Sequence, residues 1–213
     1  MRAPVEVAYN WTGFYAGAHV GYGWGRTEFR DPLDYCIGTG SCPFPRFDYD
    51  LGGVIGGAQA GYNWQTGNLV FGLEFDFSFS GIDKTAVVRT TGNLSTDLDW
   101  LGTGRLRLGY AVNQALLYAT GGFAYAKVSN AYRDGSTFLG ASEVNWGWTV
   151  GGGVEFAFAA NWTLRGEYLF VDIAENSATF APPTIGHFEW DNRLHILRAA
   201  LNYRFGAPVV ARY

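Results

Sequence analysis

Charged residues are scarce in this chain. Asp, Glu, Lys and Arg make up 16% of it, against about a quarter in an ordinary globular domain. The net charge of −4 and the pI near 5.3 give no basic footprint, which excludes nucleic acid as a partner. Cysteine is limited to Cys36 and Cys42, too few ligands for a structural zinc site, which needs about four. The C-x5-C spacing reads instead as a loop disulfide of an oxidising compartment, in preference to two free thiols. No apolar run approaches the roughly 18 residues of a membrane-spanning helix, so membrane residence would have to use strands. Met1-Arg2-Ala3-Pro4-Val5 lacks the apolar core of a signal peptide. The chain is therefore either cytosolic or a mature sequence behind an added initiator.

What the chain does have is glycine, 30 of 213 residues, and aromatic side chains, 17%. They are not scattered. From Leu69 to Ser80 the odd positions read Leu, Phe, Leu, Phe, Phe, Phe and the even ones Val, Gly, Glu, Asp, Ser, Ser. A strand sends successive side chains to opposite faces, so this stretch is a strand with one greasy face and one small, acidic face. A helix would spread the same phenylalanines around its circumference.

The pattern recurs in eight segments: 13–25, 52–64, 69–80, 98–112, 116–127, 146–158, about 162–171 and about 193–205. Gln65-Thr66-Gly67-Asn68, Asn113-Gln114-Ala115 and Ala159-Ala160-Asn161 are tight turns. The other connections, 26–51, 82–97, 128–145 and about 172–192, are long and polar. Connections alternating strictly between long and short are those of an all-β, eight-stranded antiparallel up-and-down barrel. Segment 116–127 is apolar on both faces, and Phe123 and Tyr125 are placed on its greasy side.

Alternation alone does not separate a soluble lipocalin-like barrel from a membrane one. Volume does. An eight-stranded barrel holds little more than its own side chains, and the greasy faces carry most of the chain's rings. Those faces must point out, into lipid, and the Gly-rich faces must line the lumen. The rings also sort to strand ends. With the N-terminus at the short-turn rim, Trp11, Tyr62, Trp64, Tyr110, Trp162, Tyr203 and Phe205 form one girdle, and Trp24, Trp100, Trp146 and Trp148 form the other.

Asn10-Trp11-Thr12-Gly13-Phe14-Tyr15-Ala16-Gly17, Gly61-Tyr62-Asn63-Trp64, Gly104-Arg105-Leu106-Arg107-Leu108-Gly109-Tyr110, Trp162-Thr163-Leu164-Arg165-Gly166-Glu167-Tyr168 and Leu201-Asn202-Tyr203-Arg204-Phe205 resemble the opacity-protein-like surface antigens. These are small "porin family" outer-membrane barrels common in alphaproteobacteria. The resemblance runs over nearly the whole chain. It implies a signal peptide removed on export, an OmpA-like eight-stranded barrel in the bacterial outer membrane, and roles in envelope integrity and surface contact. Some relatives are reported to bind haemin.

Inside the lumen, parity places the acids Glu74, Asp76, Asp99, Glu155 and Glu167 opposite Arg105, Arg107, Arg165, Arg198 and Arg204. A balanced set in a narrow barrel reads as mutual neutralisation rather than as a catalytic carboxylate pair. His19, His187 and His195 have no metal or nucleophile spacing, although His187 with Asp191 and a loop serine could imitate a lipid-modifying dyad. No cofactor and no enzymatic activity are expected. The expected organisation is a periplasmic segment 1–10, a barrel 11–205 and a short periplasmic tail 206–213, with no room for a soluble wall-binding domain. Leu201, Tyr203 and Phe205 form a last-strand signal for the barrel-assembly machinery. The expected partners are that machinery, outer-membrane lipid and lipopolysaccharide, with peptidoglycan or other envelope proteins as further candidates. The expected role is a structural, surface-exposed barrel with a lumen plugged by charge pairs; a small-solute pore or haemin-binding receptor is the alternative.

Overall fold

The computed structural model describes residues 9–30, 46–87, 92–134, 137–180 and 186–206, with side chains for 9–25, 52–82, 98–127, 144–173 and 193–206. Cys36 and Cys42, and the tail from residue 207, lie outside the described residues. Eight strands follow in order: β1 Gly13–Arg30, β2 Arg46–Thr66, β3 Leu69–Val87, β4 Gly92–Val112, β5 Ala115–Asp134, β6 Thr137–Ala157, β7 Trp162–Phe180 and β8 Gly186–Arg204. Each pairs antiparallel with its neighbours, and β1 pairs with β8 from Tyr15↔Arg204 to Arg30↔Glu189, which closes the sheet on itself. Among the described residues the architecture is the expected all-β barrel.

The tight turns need backbone that few residues adopt. Gly67 at φ 60 and Asn113 at φ 54 supply the left-handed conformation, Gly because it lacks a Cβ and Asn because its short amide tolerates it.

The strands run on well past the segments legible as alternating. They are 18 to 21 residues long, about twice the 9–11 needed to cross lipid at a tilt of roughly 45°. Pairs such as Arg30↔Arg46 and Gly92↔Asp134 continue the ladder into stretches expected to be loops. The apolar alternation stops where one face stops meeting lipid. The ladder does not, because backbone N–H and C=O groups still need partners.

Outward and inward faces agree with the sequence parity along most of the barrel. Phe14, Phe75, Leu106, Trp146 and Leu197 are exposed, while their inward neighbours Tyr15, Glu74, Asp76, Arg105, Arg107, Asn145 and Arg198 are buried. Segment 116–127 follows the same rule, with Ala124 and Ala126 inward and Phe123 outward. The Phe123 and Tyr125 rings lie across their cross-strand partners Gly104 and Gly102, in the space a Cβ there would occupy.

Candidate functional site: the barrel interior and its two rims

Three layers of inward side chains follow one another along the barrel. Nearest the long connections is an aliphatic layer of Ile55, Ile82, Leu98, Leu101, Leu169, Val171, Ile173, Leu194 and Ile196, with Ala124 and Ala126. Sequence reasoning missed it, because its outer members fall where the alternation fades, and a lone Ile or Leu there looks lipid-facing or loop-borne.

Below it lies the charged layer. Glu74 on β3 accepts from Arg105 on β4 and from the Tyr15 hydroxyl on β1, 2.5 Å away. Asp76 accepts from Arg105 at 2.8 Å, from Arg198 at 3.2 Å and from Thr103 at 2.5 Å. Glu155 on β6 pairs with Arg107 and accepts from Asn202 at 3.0 Å. Glu167 on β7 accepts from Arg198 Nε at 2.7 Å and from the Tyr118 hydroxyl at 2.7 Å, and lies 3.1 Å from Arg105. Arg165 joins the halves, 2.6 Å from Glu74 and 3.4 Å from Glu155. Its contacts are electrostatic, since none of its N–H groups is aligned on a carboxylate as a hydrogen bond. The Arg107 guanidinium sits 3.7 Å over the Tyr118 ring. Eight of the predicted network residues thus come together, four carboxylates with four guanidiniums.

Asp99 is not one of them. A register shift between Leu98 and Trp100 breaks the parity of β4 at that point, and Asp99 pairs with Lys127 at 3.0 Å, both side chains over a third exposed. Arg204, placed in the lumen with the same set, is buried but lower down. It donates to the Tyr9 hydroxyl at 3.0 Å and to the Thr12 carbonyl at 3.2 Å.

Neutral residues extend the charged layer to the remaining strand. His19 on β1 meets Gln59 Oε1 on β2 through Nδ1 at 2.6 Å and Ser78 Oγ on β3 through Nε2 at 2.8 Å. Gln59 donates to Asn202 at 2.6 Å, and Asn202 to Glu155. Ser78, His19 and Gln59 stand in the order of nucleophile, base and orienting group, but all three are buried, and their bonds tie β1, β2, β3 and β8 together. With Gln59 included, every strand contributes a side chain. His187 stands on β8, with its side chain outside those described.

The third layer is at the short-turn rim, and it corrects the girdle. Trp11 is 2% exposed, packed inside the barrel against Val70, Ala111, Leu116, Tyr118 and Ala157. It precedes β1 and is not subject to strand parity. The segment crosses the barrel mouth, held by Trp11 N–H to Gln65 Oε1 at 2.7 Å and by Gln65 N–H to Thr12 Oγ1 at 3.0 Å. The Tyr9 ring stands edge-on to Trp11 at 4.8 Å. Burial pushes the Tyr9 phenol above its ordinary pKa, against the opposing pull of Arg204.

The other girdle residues face outward and touch one another. At the short-turn rim Tyr62 contacts Phe14 and Trp64, and Tyr203 contacts Trp162 and Phe205. Tyr110 is exposed beside Asn68, whose amide donates to its hydroxyl at 3.4 Å. At the opposite rim Trp100, Tyr125 and Trp146 form a chain, and Trp148, Phe170, His195 and Trp24 form another. Leu201, Tyr203 and Phe205 all point outward at the end of the last strand.

Comparison with known proteins agrees with this architecture. The family model for the outer membrane protein beta-barrel domain matches residues 1–205. The 31 kDa outer-membrane immunogenic protein of Brucella melitensis is 36% identical over 218 residues, 95% of this chain and 87% of that protein. The 22 kDa outer membrane protein of Rhizobium leguminosarum is 37% identical over 174 residues, 81% of this chain and 69% of that protein. The crystal structure of OprG from Pseudomonas aeruginosa shares the fold at a TM-score of 0.53 and 10% identity, covering 94% of this chain and 100% of that one. The chain belongs to the outer membrane protein beta-barrel domain family, among the small outer-membrane antigens of alphaproteobacteria, and its place is the bacterial outer membrane.

Proposed function

We propose that the protein is a structural, non-catalytic barrel that supports envelope integrity, presents its long connections as a surface for interaction, and conducts no solutes. The observation that carries this reading is the charged layer. All eight strands feed one buried network, with aliphatic side chains on one side of it and the Trp11 cluster on the other. A solute would have to break ion pairs that are already desolvated and then cross a dry layer. Removing one partner of such a pair costs about 3–5 kcal/mol.

Lipid and lipopolysaccharide are its surroundings in this reading, with peptidoglycan or other envelope proteins as candidate partners. The barrel-assembly machinery reads Leu201, Tyr203 and Phe205. The Brucella relatives named as immunogenic favour a surface-exposed role for the connections. A deletion strain tests the proposal. Sensitivity to detergents should rise and be restored by the intact gene. Unchanged detergent resistance, with defective uptake of small solutes or haemin, would favour the pore or receptor instead.

A further inference from the structure

Among the described side chains, charge on the lipid-facing surface is confined to one rim. Among the described side chains, the outward-facing cations are Lys127 and Arg193, both at the long-connection end, with His195 two residues below Arg193 on the same face of β8. Lys127 is held by Asp99 at 3.0 Å. Arg193 is held less closely. Its carboxylate neighbour among the described residues is Asp172, 4.0 Å away, and its side chain is 59% exposed.

His195 is placed with more care than a stray surface histidine. Register puts it directly between Trp24 on β1 and Phe170 on β7. The Trp24 ring stacks on it at 5.8 Å with a 16° tilt, and Phe170 lies 5.3 Å away. The Tyr168 hydroxyl hydrogen-bonds Nδ1 at 2.6 Å. With Nδ1 committed, the second ring nitrogen, Nε2, is the one left for a ligand.

Depth narrows the ligand. His195 lies eight residues above the girdle residue Tyr203 on β8, which is about 26 Å along a strand at ~3.3 Å per residue. At a tilt of roughly 40° that is about 20 Å of height, against a lipid-facing apolar band of about 25 Å. Arg193, two residues further, therefore reaches the height at which lipid head groups begin. The rim with long connections is the outer one in barrels of this kind. We infer that Trp24, Tyr168, Phe170, Arg193 and His195 form a lipid-facing site for a phosphorylated glycolipid of the outer leaflet. The rings pack its sugar and the first carbons of its acyl chains, and Arg193 and His195 Nε2 donate to its phosphate. Arg is suited to this task because its planar fork matches phosphate geometry.

The test uses the full-length barrel purified in detergent, with its gel shift on boiling as the check that each variant is folded. Native mass spectrometry would measure retention of lipid A, the same lipid without its phosphates, and phosphatidylglycerol, with inorganic phosphate as competitor. The site predicts retention of lipid A above the other two, little competition by inorganic phosphate, and a roughly tenfold loss in the double variant Arg193→Gln/His195→Gln. Lys127→Gln, on the far side of the rim, should retain lipid A as the unmodified protein does. Equal retention of the phosphate-free lipid, or an unaltered double variant, would overturn the proposal. A loss in Lys127→Gln matching that of the double variant would overturn it too, showing diffuse rim charge instead of a site. Displacement by millimolar inorganic phosphate would replace it with a soluble-anion site.

Discussion

Arg165 shows how much one inward side chain controls. It sits between Glu74 and Glu155, beneath the rings of Tyr15 and Tyr118, and has almost no solvent contact. Arg165→Met keeps the bulk and removes the charge, leaving carboxylates in a low-dielectric interior with fewer partners. The expected loss of stability is about 3–5 kcal/mol, measured by urea unfolding in micelles. Lys127→Met breaks an ion pair whose side chains are 39% and 38% exposed, and solvent screening should keep its effect below about 1 kcal/mol. Equal losses would mean that the interior is wet. Trp11 offers a second contrast. Trp11→Ala empties a buried site and should cost about 3–5 kcal/mol, whereas Trp162→Ala, at an outward position, should cost clearly less in the same unfolding experiment.

At the scale of the strand, the register decides everything, since a slip by one residue exchanges the two faces. Leu73→Arg, near the middle of the alternating stretch 69–80 of β3, should therefore lower stability by about 2–4 kcal/mol, the penalty for a cation facing lipid near the midplane. Reversible folding into vesicles would measure it, and a negligible penalty would put Leu73 inside. This level of organisation was legible in the sequence because lipid imposes a period on it. Phe71, Leu73, Phe75 and Phe77 against Gly72, Glu74 and Asp76 can be read without coordinates. Where a residue leaves that environment the signal fails for a definite reason. Asp99 sits at a register shift, Trp11 precedes the first strand, and Ile82 and Leu98 occupy the fading ends of the alternation while packing inward. Strand parity alone puts Tyr15 and His19 on the inward face, but which carboxylate or hydroxyl each meets depends on how far each strand is staggered against the next, and no single strand carries that information.

Taken as a whole molecule, the barrel has a wall held from within. The charged layer sets four carboxylates against four guanidiniums among the described residues, and those groups link strands that are not neighbours: Glu74 on β3 to Arg165 on β7, Asp76 on β3 to Arg198 on β8, and Arg107 on β4 to Glu155 on β6. Such cross-lumen pairs brace the barrel in directions the backbone ladder does not, and in the proposed reading they block the path a solute would take. Planar-bilayer recording of the purified protein is the most direct test. The unmodified barrel should show no steady channel at any moderate voltage. Arg105→Ser/Arg107→Ser, which strips two guanidiniums from one wall, should unfold at a lower temperature and open a small leak. A stable, porin-sized conductance in the unmodified protein would contradict the account.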